Sequence, residues 1–314
     1  MGFEETCLEV FRYQATSNPI YRQFLQTLGL DLHKITSSAD IPFLPVEFFK
    51  SHCVIVEDRP VKEVFSSSGT TGALQSRHYV HDLGLYHTSF RKAFSRFYGA
   101  ISDYSILALL PSYLEREGSS LILMAEDLIS SSAHTQSGFY LHNHSELRDT
   151  LIKLEAAGQK TLLLGVTYAL LDFADAFPMQ LNHTILMETG GMKGNRKEMV
   201  REEVHHYLCE KFGQKEIHSE YGMTELLSQA YSKGNGIFHT PPWMKVIIRD
   251  TLDPLSAVPS GRTGGINIID LANYYSCSFI STQDLGKAYA DGSFEVLGRF
   301  DNSDLRGCNL LIAD

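Results

Sequence analysis

Cysteine is scarce in this chain. The 314 residues include Cys7, Cys53, Cys209, Cys277 and Cys308, with no CxxC spacing. Neither a disulfide framework nor a thiolate zinc site is suggested, and a reducing, cytoplasmic compartment is expected. Basic residues are also few. The 27 Lys and Arg face 37 Asp and Glu, a net charge of −10, which argues against a nucleic-acid partner held by a basic surface. No run of about 20 apolar residues occurs, so no membrane-spanning helix is expected. Met1 to Ile20 is polar and carries acids, unlike a secretory signal. Internal repeats and low-complexity tracts are lacking. The composition, 43% hydrophobic and 20% charged, is that of a soluble globular protein of one or two domains with a large core.

What stands out is Phe65 to Arg77, FSSSGTTGALQSR, between the strand-like VKEVF and a helix-like run from Leu83 to Phe97. The spacing predicts strand, small-residue loop, helix. Such a loop offers backbone N–H groups and hydroxyls, and at Gly69 and Gly72 no Cβ, so a phosphate can approach closely. The GxxxxGK[ST] spacing of a Walker loop is absent, and no lysine follows the second glycine. Taken alone, the stretch reads equally well as an ordinary flexible turn.

Residues 5 to 28 read as two short amphipathic helices broken near Asn18-Pro19. Leu44 to Val46 looks like an extended approach to a helical FFKSH. The short apolar runs SILALL (105–110), KTLLL (160–164) and TILM (184–187) alternate with helical patterns, and Glu216 to His218 reads as a further short strand. Arg196 to Phe212 reads as an amphipathic helix closed by Gly213. This alternation predicts a mainly parallel sheet covered by helices on both faces, with ligands at the carboxyl ends of the strands. After about Phe238 the texture changes to short β-strands joined by Gly, Pro, Asn and Asp turns. The expected division is an α/β core over residues 1–236 and a β-rich subdomain over 237–314. His205-His206 and His142/His144 fit no catalytic zinc pattern and read as surface or satisfied core histidines. His218 is a weak candidate for the wall of a substrate pocket.

Four stretches, SSSGTTG (66–72), SEYGMTE (219–225), STQDLGK (281–287) and GRFDNSDLRG (298–307), occur in that order. Together they resemble the adenylate-forming superfamily of acyl-CoA synthetases, adenylation domains and luciferases, from about residue 40 to the end. The resemblance implies ATP and Mg²⁺ as cofactors. Ser67, Ser68, Gly69, Thr70, Thr71 and Gly72 match the loop that holds the β- and γ-phosphates. Tyr221 and Gly222 match the aromatic-glycine step beside adenine, and Gly190-Gly191 the glycine pair lining its pocket. Thr224 matches the threonine at the acyl-adenylate phosphate and Glu225 the magnesium-binding glutamate. Asp284 matches the aspartate at the ribose hydroxyls, Arg299 the arginine near ribose and α-phosphate, and Asp301 the hinge position. These residue types suit the reaction. Carboxylate attack on a phosphate brings negative groups together, which calls for a hard cation on oxygen ligands and for oriented donors. An ionised aspartate only accepts hydrogen bonds, as paired hydroxyls require. The structural alternatives are a turn cap for Asp284, a surface ion pair for Arg299 and core packing for Tyr221. Arg77 is either a second phosphate contact or a solvated side chain.

Within the superfamily the sequence is most similar to LuxE-type acyl-protein synthetases, with phenylacetate-CoA ligases behind them. The carrying features are SSGTTG running into Ser76-Arg77, the modest length and the terminal RGCNLLI. Acyl-CoA synthetases continue past this point into a small mobile domain carrying an assisting lysine. Here Asp301 is followed by residues 302–314 only, so that domain is expected to be absent. The LuxE-type resemblance implies activation of a carboxylic, fatty or otherwise apolar acid as acyl-AMP, followed by transfer to a cysteine near the carboxyl end. Cys308 is the candidate, with a buried structural cysteine as the alternative. The other four cysteines read as structural. An acyl-collecting reductase or transferase is the implied partner. Two other readings stay open: an acyl-CoA ligase of the phenylacetate-CoA ligase type whose carboxyl-terminal domain acts in trans, and a non-catalytic nucleotide-binding scaffold.

Overall fold

The computed structural model describes residues 2–57, 59–67, 74–111, 118–141, 143–190 and 199–300. Backbone packing divides the chain into two compact units, one from Pro60 to Pro241 and one combining residues up to Arg59 with those from Pro242 onward.

The amino-terminal part supplies helices α1 (Phe3–Ser17) and α2 (Pro19–Thr27), the two-residue strand β1 (Leu44–Pro45) and the short α3 (Phe48–Ser51). Asn18 ends α1 and starts α2, its side chain accepting from the Ile20 and Tyr21 N–H groups ahead of which Pro19 opens the helix. This is an N-cap with proline at the first helical position, as the sequence pattern predicts.

The second unit opens with β2 (Glu63–Ser66) and β3 (Arg77–Val80), an antiparallel pair, and α4 (Leu83–Tyr98). It continues through β4 (Ser105–Leu109), α5 (Ser120–Ser132), β5 (Gly138–Phe139), α6 (His144–Ala156), β6 (Thr161–Gly165) and α7 (Thr167–Ala176). Then come β7 (Thr184–Glu188), α8 (Arg201–Phe212), β8 (His218–Tyr221), β9 (Ala230–Ser232) and β10 (Ile237–His239). Its main sheet runs β10-β9-β8-β7-β6-β4-β5. The strands β5, β4, β6, β7 and β8 are parallel, and β8, β9 and β10 antiparallel. Every residue of β4 and β6 is buried. Successive strand residues face opposite sides of a sheet, so both faces are removed from water. Of the expected helix Arg196–Phe212, residues 196–198 lie outside the described residues, 199 and 200 are not helical, and α8 starts at Arg201. It ends at Gly213, whose φ of 63° is the left-handed cap that glycine adopts without steric cost.

The strands β11 (Met244–Arg249), β12 (Gly264–Asp270), β13 (Phe279–Ala288) and β14 (Phe294–Arg299) form an antiparallel meander. The expected division at residue 236 places the amino terminus with the α/β core. The packing instead joins it to this meander. Strand β1 pairs in parallel with β13. The Gln14 amide donates to the Asn273 and Tyr274 carbonyls, each at 2.9 Å, and Asn18 donates to the Ser276 carbonyl at 2.9 Å. Phe11 and Tyr21 pack on Phe279 with ring centroids 6.0 and 6.1 Å away. These contacts bury helix faces whose partners lie more than 250 residues further along the chain, beyond the reach of local pattern.

Candidate functional site

In the unit from Pro60 to Pro241, the small-residue stretch leaves β2 and returns directly into β3, with Phe65 opposite His78 and Ser66 opposite Arg77. The expected strand-loop-helix order is therefore corrected to a hairpin followed by a helix. RHYV alternates outward and inward side chains, with His78 and Val80 buried and Arg77 exposed, which is the strand period. Ser67 closes the neck of the loop. Its N–H donates to the Ser76 carbonyl at 3.1 Å, and its hydroxyl accepts from the Ser76 N–H at 2.9 Å. Ser68, Gly69, Thr70, Thr71 and Gly72 lie outside the described residues.

Strand β8 ends at Tyr221, and a tight turn follows. The Leu226 N–H donates to the Met223 carbonyl at 3.1 Å, which puts Thr224 and Glu225 at the two central positions. Glu225 is buried, and Tyr221 packs its ring on Phe238 with centroids 6.0 Å apart. The Thr224 carbonyl accepts a hydrogen bond from His78 Nδ1 at 2.9 Å. Burial of His78 pushes its pKa down to about 4, so the ring is neutral at pH 7. The Glu220 side chain folds over Gly222, where a Cβ would sit 2.4 Å from the carboxylate. A side chain at position 222 would require the Glu220 carboxyl to move.

Gly190 follows β7 and is held by Glu188. That buried carboxylate accepts from the Gly190 N–H at 2.8 Å, Thr167 Oγ1 at 3.1 Å and Ser219 Oγ at 2.7 Å. Arg201 and His205 each come within 3.5 Å of it. Burial opposes its ionisation, but His205, Arg201, Ser219 and the Gly190 N–H outweigh that and hold the pKa down to about 2. Glu220 has the opposite fate. Burial, with Glu188 nearby, pushes it up to about 7 despite a hydrogen bond from the Thr189 hydroxyl. Two carboxyl groups on neighbouring strands are thus driven in opposite directions, Glu188 down by its donors and Glu220 up by burial. Gly191 lies outside the described residues. His205, partly buried, meets Glu188 and the Ser219 hydroxyl. His218 meets the Tyr98 hydroxyl at 3.2 Å, and burial followed by Lys233 lowers its pKa to about 4.

In the other unit, Asp284 and Arg299 face each other across β13 and β14, with Arg299 Nε 3.3 Å from Asp284 Oδ1. Asp284 lies inside a ten-residue strand, so it does not cap a turn. Its side chain is nearly buried, while that of Arg299 is 58% exposed. At the end of β11 the buried Arg249 donates to the Ile266 carbonyl and Asn267 Oδ1 at 2.8 and 3.0 Å and to the Thr282 carbonyl at 2.6 Å. Asp301 and Cys308 lie outside the described residues.

No protein-family model matches the chain. Among solved structures, it is similar to ATP-bound MatB from Rhodopseudomonas palustris, with a TM-score of 0.57 and 18% identity over 78% of this chain and 50% of that one. It is also similar to a 2-hydroxyisobutyryl-CoA ligase in the postadenylation state in complex with R3-HIB-AMP, with a TM-score of 0.67 and 11% identity over 95% of this chain and 67% of that one. The fold is that of the adenylate-forming ligases. The chain spans about half the length of the first of these structures and two thirds of the second. In sequence it is 23% identical over 335 aligned positions to a long-chain-fatty-acid–luciferin-component ligase of Vibrio harveyi, covering 96% of this chain and 84% of that protein.

Among the described residues no group of three or more His, Cys, Asp or Glu side chains is placed to hold a metal ion, and none of the helices is long and apolar enough to cross a membrane. A single carboxylate such as Glu225 is still a sufficient protein donor for Mg²⁺, which keeps most of its shell as water and substrate phosphate oxygens. The sequence reading missed His78, Glu188, Glu220 and Arg249. The inward position of His78 in an alternating strand is a local signal of burial. Nothing local shows what the other three meet.

Proposed function

We propose that this protein activates a carboxylic acid with ATP as acyl-AMP, releasing pyrophosphate, and passes the acyl group to a thiol. The observation that carries this reading is the Thr224–Glu225 turn, tied to the hairpin of the SSGTTG loop in a chain with an adenylate-forming ligase fold. Similarity along 96% of the chain to a fatty-acid ligase supports an apolar acid.

In the first step a carboxylate oxygen attacks the α-phosphorus and the bond to the bridging oxygen breaks, so pyrophosphate leaves with that electron pair. The small-residue loop, including Ser67, Ser68, Gly69, Thr70, Thr71 and Gly72, holds the β- and γ-phosphates with backbone N–H and hydroxyl donors. Thr224 donates to the phosphate of the adenylate. Glu225 would hold Mg²⁺, which when bound would offset the charge of the phosphates. Gly190-Gly191 and Tyr221-Gly222 flank the adenine, Asp284 accepts from the ribose hydroxyls, and Arg299 supplies positive charge near the α-phosphate. In the second step a thiolate attacks the acyl carbon, AMP leaves with the carboxyl-derived oxygen, and a thioester forms.

Cys308 is the first candidate for that thiolate. Burial pushes Cys7 and Cys277 up to about 12 and raises Cys53 and Cys209, all of which disfavours the nucleophilic form. A reductase or transferase would then collect the acyl group. Coenzyme A is the second acceptor to consider, because a similar solved structure is that of a CoA ligase.

Intact mass after incubation with Mg·ATP and a panel of carboxylic acids tests the reading. An acyl mass increase, removed by hydroxylamine and absent in Cys308→Ser, is the expected result. Acid-dependent pyrophosphate exchange without an adduct moves the acceptor to CoA or another protein. Neither signal with any acid favours a nucleotide-binding scaffold.

A further inference from the structure

We propose that His78 is a positioning residue of this site: its imidazole ties the hairpin carrying the small-residue loop to the turn carrying Thr224 and Glu225. The inference rests on the ATP-dependent reading, which gives the loop and the turn their roles.

The two segments are 146 residues apart in sequence, and His78 Nδ1 bridges them at 2.9 Å. A carbonyl only accepts, so Nδ1 carries the proton. In a turn of this kind the first residue's carbonyl takes the closing bond, here Met223 accepting from the Leu226 N–H. The carbonyl of the second residue needs its own donor once it is buried, and His78 supplies one for Thr224. The peptide unit is planar, so holding that carbonyl also sets the direction of the Glu225 N–H and the points from which both side chains leave the backbone.

His78 is itself held in place. It is fully buried, sits opposite Phe65 in the hairpin register, and meets that ring with centroids 6.5 Å apart. Only Arg77 separates it from Ser76, which closes the neck of the loop with Ser67. A shift of the hairpin therefore pulls on the turn. A site that must hold phosphate donors and a metal-binding carboxylate in one geometry needs such a link, because misplacement by about 1 Å costs on the order of 10²-fold in rate.

The test compares His78→Leu, which fills the space without a donor, with His78→Asn, whose amide nitrogen occupies about the place of Nδ1. The assay is acid-dependent pyrophosphate exchange, with circular dichroism and melting as checks on folding. In His78→Leu, kcat is expected to fall on the order of 10²-fold with KM for ATP and acid changed less than about 3-fold, while His78→Asn recovers most of kcat. A folded His78→Leu protein with wild-type kcat overturns the proposal, as does an Asn variant no better than Leu. If the Leu variant does not fold, the Asn variant and the ring's tautomer decide. Nitrogen-15 NMR of labelled histidine in the wild type is expected to show a proton on Nδ1 of His78 at pH 7, and a neutral Nε2–H tautomer overturns the tie. A wild type without exchange for any acid removes the ATP-dependent reading and this role together. An active wild type with the opposite variant pattern removes the role of His78 alone.

Discussion

Between Pro60 and Pro241 one buried carboxylate, Glu188, is held by donors from β8, α7, α8 and its own strand's end. In the β-rich unit one of the buried charged side chains is a cation, Arg249, which donates to backbone carbonyls and an amide of β12 and β13. Each buried charge brings hydrogen bonds that satisfy it, as low dielectric requires. Asp284 and Arg299 contrast with both. Their pair stands at 3.3 Å with the arginine largely in water, where such pairs contribute little to stability. The comparison separates charges satisfied inside the fold from a pair whose arginine stands largely in water.

The comparison breaks most directly at Glu188. Replacing it with Ala should cost about 3–5 kcal/mol in chemical denaturation, because Arg201 loses its counter-charge and buried donors lose their acceptor. Its folded pKa lies below the ordinary carboxylate value, so its contribution is present above about 4.5 and is lost as pH falls through about 2. A Glu188→Gln variant should lack that acid limb. An unchanged unfolding midpoint in Glu188→Ala would show that the cluster is not a hub.

Arg249→Leu should cost about 2–4 kcal/mol, since carbonyls of Ile266 and Thr282 lose a charged donor inside a sheet. Replacement without loss would mean that desolvation of the guanidinium, which lowers its pKa, cancels its hydrogen bonds.

Glu220 sharpens the contrast from the other side. Its folded pKa is raised to about 7, so it takes stability away as pH rises from about 4.5 through 7. Glu220→Gln should therefore gain on the wild type by about 1–2 kcal/mol at pH 8 relative to pH 5. Equal differences at the two pH values would show that Glu220 ionises normally.

The smallest stability effect is expected at Arg299. Arg299→Ala should change unfolding free energy by less than about 1 kcal/mol, yet lower acid-dependent exchange by about 10–10²-fold if the proposed role near the α-phosphate holds. A large loss of stability with intact exchange would put Arg299 among the fold-holding charges.

Much of the fold is legible locally. Asn18-Pro19 marks the break between α1 and α2 because asparagine caps and proline fits the first helical turn. SILAL and TLLLG read as doubly buried strands because they are apolar on both faces of the pleat. The hairpin β2–β3 was not legible, since Ser, Gly and Thr between two segments say nothing about whether a strand or a helix comes next. Nor was the start of α8 at Arg201.

At the candidate site, the residue types and their order came from sequence alone: Ser67, Gly190, Tyr221-Gly222, Thr224-Glu225, Asp284 and Arg299. Their support did not. His78 beneath the Thr224 carbonyl, Glu188 beneath Gly190 and Glu220 over Gly222 are pairings set by strand order and register.

By itself the sequence determined the apolar strands β4, β6 and β7, the α1–α2 break at Asn18-Pro19, the glycine that ends α8 and the ordered set of small-residue and acidic motifs, because these depend on neighbours along the chain. The tertiary structure alone decided that residues up to Arg59 join the β-rich unit, that adjacent carboxylates titrate apart, and that a histidine after one motif holds the carbonyl of another. Those outcomes depend on desolvation and on donors from distant segments, which exist only once the strands have paired.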